Sequence, residues 1–336
     1  MDHNTTTTAA SSATAPSSAA TITTNNANTK TIYLIRHGVA HHNVPDPRTG
    51  ERPNLRDPRY TDPSLIRQGE MQARVLGEQF RRRGLLYFRN EEDAVTPCES
   101  SMEVDQGRGH DFGSHDVNQS SNDSSIARQQ ASLSQTQPIE LVVCSPLTRC
   151  LQTASYIFPS YFERGDASTS IPAEKQFSTK TTKQTIGSAV HVLDASCKVC
   201  CHGDVREAYG MHYPDKRSPL SQLKANFPNV AYHPSLMEHD TDWQPNTRET
   251  RKDVSQRIQT FFAWLAQQPQ HNIAIVTHGV WMECALLGYY PEVLEFGKKR
   301  VYNCEVYRGE LSPAKNDGSS ASVALKNVEQ ISFYHA

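Results

Sequence analysis

The fold is decided by the stretch Thr31-Ile-Tyr-Leu-Ile-Arg-His-Gly38, an apolar β-type run that leads directly into Arg-His-Gly. Two further apolar runs repeat this arrangement, in Ile139-Glu-Leu-Val-Val-Cys-Ser-Pro-Leu-Thr-Arg149 and in Asn272-Ile-Ala-Ile-Val-Thr-His-Gly279. Open α/β sheets bind ligands at the carboxyl ends of their strands. Three strand ends are therefore predicted to bring two histidines and two arginines towards one pocket.

These four side chains suit the chemistry of a phosphoryl group. A neutral imidazole can attack phosphorus and form a phosphohistidine, which is the role we predict for His37. Guanidinium groups match phosphate oxygens bidentately, so Arg36 and Arg149 are predicted to clamp the phosphate. His278 is predicted to donate a hydrogen bond to the transferring group. For Arg149, an alternative as a solvated helix arginine stays open.

The chain resembles the histidine phosphatase superfamily, in the branch of cofactor-dependent phosphoglycerate mutase. The resemblance covers about residues 31–89 and 138–307, and it is carried by Leu34-Ile-Arg-His-Gly38, Asn43, Asp62–Ala73, Ser145–Ala154, Arg206–Gly210 and Val276–Gly279. It implies that Asn43 contacts phosphate and that Glu207 is the general acid for the leaving group. An ordinary turn asparagine is a nearly equal alternative for Asn43. Asp204 and Asp194 are rivals of Glu207.

The chain departs from the mutase pattern in ways that favour hydrolysis. Val39 stands where mutases carry an acidic residue, and the basic-aromatic segment after the acid is replaced by Gly210-Met-His-Tyr-Pro-Asp-Lys-Arg-Ser218. That stretch, with Asn303-Cys-Glu305, resembles phosphoglycerate mutase-like proteins of plants and fungi. We expect a metal-independent phosphomonoester hydrolase without a cofactor, with a phosphomutase and a non-catalytic phosphate-binding protein as alternatives. The residues expected to contact the substrate beyond its phosphate are His212, Lys216 and Arg217.

Strands of nearly continuous apolar character, separated by helices, predict an α/β fold with a mostly parallel central sheet and helices on both faces. Gly69–Arg83 is predicted to be an amphipathic helix. Ser145 is expected to cap the next helix and Pro146 to be its first residue. A third helix is predicted around Val254–Leu265. Together these elements predict a single domain over residues 30–312. Its small cap is expected to include residues 203–228, called the cap segment below, and the flanks of the stretch 163–190. A C-terminal segment, 313–336, is predicted to be polar and then to form a final strand.

Three polar stretches interrupt this pattern. Residues 1–29, about 90–137 and 163–190 hold few large apolar side chains and are expected to be disordered. The segment 90–137 carries nine acids and two bases, and residues 1–29 carry one acid and no base, which leaves 32 bases and 26 acids elsewhere. This modest positive balance suits a small anionic substrate and does not favour nucleic acid. A transit peptide at residues 1–29 is a minor alternative.

The eight cysteines are scattered, as is typical of reduced cytoplasmic thiols, and no run reaches the length of a membrane span. The segment Cys197-Lys-Val-Cys-Cys-His202 contains one C-x-x-C, which predicts a short strand lined with thiols more than a metal site. The adjacent His41 and His42 do not have the spacing of zinc ligands beside His37. We therefore expect a cytoplasmic enzyme with no metal site and no membrane or nucleic-acid partner.

Overall fold

The computed structural model describes residues 29–86, 137–163, 177–180, 190–289, 300–313 and 323–331. Their centre is a seven-stranded sheet in the order β6-β5-β2-β7-β1-β8-β9. The strands are β1 (Lys30–Arg36), β2 (Leu141–Cys144), β5 (Val199–Cys201), β6 (Ala231–Tyr232), β7 (Asn272–Thr277), β8 (Val306–Pro313) and β9 (Val323–Ile331). A separate pair is formed by β3 (Phe177–Lys180) and β4 (Val190–Leu193), which run antiparallel.

The five strands from β6 to β1 are parallel, whereas β8 and β9 extend the sheet antiparallel. In the middle of the sheet, Arg36 of β1 lies beside Thr277 of β7, and Cys144 of β2 lies beside Val276. The three predicted strand ends are therefore neighbours at one edge. This register explains why the residues that follow β1, β2 and β7 can form one site.

Helices cover both faces of the sheet, which confirms the predicted fold class. They are α1 (Arg67–Arg82), α2 (Thr148–Ile157), α3 (Pro159–Phe162), α4 (Leu220–Asn226), α5 (Arg251–Ala266) and α6 (Gly279–Tyr289). One hydrophobic cluster joins α5 and α6 to the sheet, and a second joins α1 and α2 to its other face. Burial of these apolar stripes is the main force that holds the helices on the strands.

The predicted apolar stripe of the first helix is confirmed, since Ala73, Leu76, Gly77 and Phe80 are buried in α1. The loop after β1 packs on the start of this helix at very short range. A Cβ atom on Gly38 would lie 2.5 Å from the Gly69 carbonyl oxygen, and one on Gly69 would lie 2.1 Å from the Val39 carbonyl oxygen. Glycine is needed at both positions because two backbones meet there.

The predicted cap of the second helix is wrong. Helix α2 begins at Thr148, not at Pro146, and the Ser145 hydroxyl does not cap it. Instead the Asp62 carboxylate accepts hydrogen bonds from the Thr148 amide and hydroxyl, each at 2.8 Å. A distant residue supplies the cap because the N-cap residue, Leu147, has no polar side chain, and the Ser145 side chain is left available for another partner.

The segments expected to be disordered lie mostly outside the described residues: all of 1–28, all of 90–136, and 164–176 with 181–189. The predicted insertion 163–190 nevertheless contains strand β3, which pairs with β4. In the part of the chain that the structure describes, no helix is both long enough and apolar enough to cross a membrane.

Candidate active site

His37 lies directly after β1 with its imidazole buried. Its Nδ1 is 2.7 Å from the Gly38 carbonyl oxygen, which can only accept, so Nδ1 carries the proton and Nε2 is unprotonated. The Arg149 Nε lies 3.3 Å from this Nε2 and donates to it. Burial lowers the pKa of His37 well below its ordinary value, and the charges of Arg149 and Arg36 lower it further. The arrangement yields a neutral imidazole with one unprotonated nitrogen.

Arg149 is buried, with 1% of its surface exposed, so the alternative as a solvated arginine is wrong. Its Nη1 donates to the Pro214 carbonyl oxygen at 2.6 Å and its Nη2 to the Asp215 carboxylate at 3.0 Å. These two acceptors hold the outer nitrogens and leave Nε directed at His37. The buried Asp215 also accepts from Arg248 at 3.1 Å, so one carboxylate joins two guanidinium groups beside the site.

His278 follows β7 and is fully buried. Its Nε2 lies 2.8 Å from the Ser145 hydroxyl and 3.3 Å from the Cys150 sulfur. Nδ1 has only a longer contact, 3.9 Å, with the Cys150 sulfur, so it is the less occupied nitrogen and the one better able to meet a ligand. The rings of His278 and His37 are 5.1 Å apart, at 63° to each other. Ser145, predicted to be a helix cap, is therefore the residue that orients the second imidazole.

Arg36 ends β1, and its Nη1 donates to the Val301 carbonyl oxygen. Its Nε is buried without a hydrogen-bond partner among the described residues, so a donor remains for a ligand. Beside it, Asn303 donates from Nδ2 to the His37 carbonyl oxygen at 2.8 Å. The sequence drew attention to Asn303 only as part of a resemblance, because nothing in its spacing relates it to His37.

Glu207 lies next to the amino end of α6. Its carboxylate accepts from the Ala208 amide at 2.9 Å and from the Val280 amide at 3.3 Å. Burial raises the pKa of Glu207, and the neighbouring charge of Asp215 raises it further, whereas the two amides act in the opposite direction. The net rise is in the direction that a general acid requires.

The two rivals of Glu207 are less well placed. Asp194 is half-buried and lies just before a turn, where hydrogen bonds from Ser196 lower its pKa. Burial raises the pKa of Asp204 to about 6, so its protonation would suit an acid. However, a cavity of about 310 Å³ opens against Glu207 and Arg36, and Asp204 does not line it. The geometry therefore favours Glu207.

The structure places His42, not Asn43, beside His37. The ring of His42 lies 6.0 Å from that of His37, and burial with the charges of Arg149 and Arg36 lowers its pKa to about 2. The hydrogen bonds of Asn43 are local, to the Ala40 amide at 3.0 Å and to His42 at 3.1 Å. A phosphate contact of Asn43 stays a prediction.

The three predicted substrate contacts divide in the structure. Arg217 is buried and donates to the main-chain carbonyl oxygens of Ser218 and Met237, so its role is to hold the cap. Lys216 is half-buried, with its ammonium 4.8 Å from the centre of the Trp243 ring. His212 is half-buried, and its carbonyl oxygen accepts from the Trp243 indole. Contacts of His212 and Lys216 with a substrate stay predictions.

The cysteine-rich segment is a buried strand, as predicted: Cys200 and Cys201 lie in β5. Burial raises the pKa of the Cys200 and Cys201 thiols well above the ordinary value, so they stay protonated. Among the residues that the structure describes, no three His, Cys, Asp or Glu side chains are grouped to hold a metal ion. Metal independence of the reaction stays a prediction.

Comparison with known proteins supports the motif-based resemblance. A family model described as histidine phosphatase superfamily (branch 1) matches residues 218–320. Phosphoglycerate mutase-like protein 1 of Arabidopsis thaliana is 29% identical over 191 residues, which is 55% of this chain and 65% of the relative. Phosphoglycerate mutase-like protein 2 of the same plant is 30% identical over 193 residues, 50% of this chain and 56% of the relative. These matches confirm the predicted resemblance to the histidine phosphatase superfamily.

The chain thus spans less than two thirds of the length of these plant relatives. A probable phosphoglycerate mutase of the fungus Arthroderma benhamiae is 26% identical over 119 residues, 35% of this chain and 27% of the relative. Among solved structures, the ecdysone phosphate phosphatase of Bombix mori is similar with a TM-score of 0.42 and 15% identity, over 90% of this chain and 92% of that one.

Proposed function

We propose that this protein is a phosphomonoester hydrolase that acts through a phosphohistidine at His37 and needs no metal ion. The observation that carries the proposal is the fixed state of the His37 ring: Nδ1 donates to the Gly38 carbonyl oxygen, and the unprotonated Nε2 accepts from Arg149 Nε. A buried histidine with a purely structural role would not need a guanidinium directed at its unprotonated nitrogen.

In the first step, His37 Nε2 attacks phosphorus and the bond from phosphorus to the ester oxygen breaks. Glu207 gives its proton to the departing oxygen, while Arg36, Arg149 and His278 Nδ1 stabilise the charge on the transferring group. In the second step, Glu207 takes a proton from water, the water oxygen attacks phosphorus, and the bond to Nε2 breaks. Inorganic phosphate leaves, and both residues return to their starting states.

The substrate class is a small phosphate monoester. An anionic substrate is in keeping with the net positive charge of the chain outside residues 1–29 and 90–137. Transfer to water is favoured over transfer to a second hydroxyl group because Val39 stands where mutases carry an acidic residue. Phosphate that moved between hydroxyls of one substrate faster than it was released would favour a mutase instead.

The proposal is tested by quenching the enzyme during turnover of a phosphate monoester labelled at phosphorus. We expect a protein-bound label that is stable to base and labile to acid, and that is absent from His37→Ala. We also expect turnover to persist in the presence of a chelator. A label that survives in His37→Ala, or turnover that a chelator abolishes, would contradict the proposal.

A further inference from the structure

The cavity beside Glu207 has walls that the proposed phosphoryl chemistry does not use. Besides Arg36 and Glu207, its charged lining residues are Arg251 of α5, Glu283 of α6 and Arg300. None of these three belongs to the phosphate clamp or to the cap segment that includes His212 and Lys216. The volume of about 310 Å³ is at the lower end of the range of roughly 300–1,000 Å³ for ligand sites, which suits a small group.

The position of the cavity identifies which part of an ester would enter it. Glu207 is the proposed proton donor to the departing oxygen, and Arg36 is the proposed contact of the phosphoryl oxygens. This cavity borders on both residues and is not lined by His37, so it lies on the side of the phosphoryl group where the ester oxygen would be. The part of the substrate attached to that oxygen, the leaving group, would therefore occupy the remaining volume between Arg251, Glu283 and Arg300.

The charges of the lining do not cancel. Arg251 donates to the Glu283 carboxylate at 2.6 Å, so this pair contributes little net charge. Arg300 is exposed at the cavity, and no described side chain hydrogen-bonds to it or forms an ion pair with it. A guanidinium with its donors free at the edge of a small polar cavity favours an anion, and its planar fork matches a carboxylate or a phosphate.

We propose that this cavity is the leaving-group subsite and that Arg300 selects phosphate esters whose leaving group carries a second anionic group. Arg251 contributes less because Glu283 competes for it. This inference rests on the proposed hydrolysis and adds a substrate class to it: small monoesters with a carboxylate or a second phosphate. The specificity would thus come from the segment before β8 and from helices α5 and α6.

The test compares two pairs of substrates that differ only in the second charge. Phosphoglycolate is compared with ethyl phosphate, and ethylene glycol bisphosphate with hydroxyethyl phosphate, so the two pairs separate a carboxylate from a phosphate. We expect Arg300→Glu to lower the ratio of kcat/KM within at least one pair by about tenfold, and Arg300→Ala by less. Because each ratio is compared between variant and wild type, differences in intrinsic reactivity cancel. Arg82→Glu on α1, at the other face of the sheet, makes the same change in charge and should leave both ratios unaltered.

Phenyl phosphate, whose leaving group has no charged group, separates the two proposals. If phenyl phosphate is hydrolysed but both ratios stay the same in Arg300→Glu, the selective role of Arg300 is wrong and hydrolysis stands. If the wild type hydrolyses no ester, the proposed function fails. Calorimetry on His37→Ala, which binds without turnover, then still tests the role of Arg300. Equal affinity for phosphoglycolate and ethyl phosphate would overturn that role. Weaker binding of phosphoglycolate to the double variant His37→Ala/Arg300→Glu would support it.

Discussion

At the scale of single residues, the proposed chemistry depends on the protonation states of His37 and Glu207. Hydrogen bonding fixes the proton of His37 on Nδ1, and burial with two guanidinium charges keeps the ring neutral. Glu207 is affected in the opposite sense, because burial and the charge of Asp215 raise its pKa. Both shifts are in the direction that the proposed reaction requires, a neutral imidazole for attack and a protonated carboxyl for the leaving group.

Glu207→Gln separates the acid from the nucleophile. A glutamine fills the same space but has no proton to give, so we expect kcat for an alkyl phosphate to fall by about a hundredfold or more. The loss for p-nitrophenyl phosphate should be much smaller, because nitrophenolate leaves without a proton. The fall of kcat/KM with rising pH, which reports loss of the Glu207 proton, should also disappear for the alkyl substrate.

The matched control is Asp204→Asn, since burial raises the pKa of Asp204 to about 6 while the side chain lies outside the cavity. The expected result is a large loss of kcat for the alkyl phosphate and a small loss for p-nitrophenyl phosphate. If Asp204→Asn shows this difference and Glu207→Gln does not, Asp204 is the general acid.

At the scale of elements, helix α2 is anchored by a residue far away in the sequence. The Asp62 carboxylate accepts from Thr148 at the start of α2 and from the Ser218 amide at 3.1 Å. One buried side chain thus joins the loop before α1, the helix that carries Arg149, and the cap segment that holds the outer nitrogens of Arg149. The position of Arg149 depends on this junction.

Asp62→Ala should therefore affect stability, and Ser145→Ala should affect turnover. Loss of the Asp62 carboxylate leaves the start of α2 uncapped, and we expect a loss of about 1–2 kcal/mol in the free energy of unfolding. Ser145 does not cap the helix, so Ser145→Ala should alter unfolding far less while lowering kcat, because the Nε2 of His278 loses its partner. Denaturant titration and steady-state kinetics on both variants check this. An equal loss of unfolding free energy in Ser145→Ala would show that Ser145 caps α2 after all.

At the scale of the whole molecule, several histidines are kept neutral inside the fold. Burial lowers the pKa values of His37, His202 and His278 well below the ordinary value of 6.5. It also lowers that of His233 to about 4. Such groups take up protons when the chain unfolds, so the folded state loses stability as pH falls below about 6.5. The raised pKa values of Glu207 and Asp204 act in the opposite direction but involve fewer groups.

We expect the Tm to fall between pH 6.5 and pH 4, and His233→Gln to reduce this fall. In the folded protein the His233 ring lies 4.2 Å from that of His202, between β6 and α5, so protonation of one ring is opposed by its neighbours. His271→Gln is the control, because that side chain is exposed. A Tm that stays constant over this range, or an equal change in both variants, would contradict the prediction.

The sequence by itself determined the alternation of strands and helices and four of the site residues. Apolar runs and stripes are local properties, and the arginines and histidines stand at fixed positions from the strand ends. His37, Arg36, Arg149 and His278 could thus be placed without coordinates. Only the tertiary structure decided which other side chains meet them: Asp215 on Arg149, Ser145 on His278, Asp62 at the start of α2, and Arg300 at the cavity. Those contacts join residues tens to hundreds of positions apart, and they depend on how loops pack over the sheet, which no local pattern of hydrophobicity or propensity encodes.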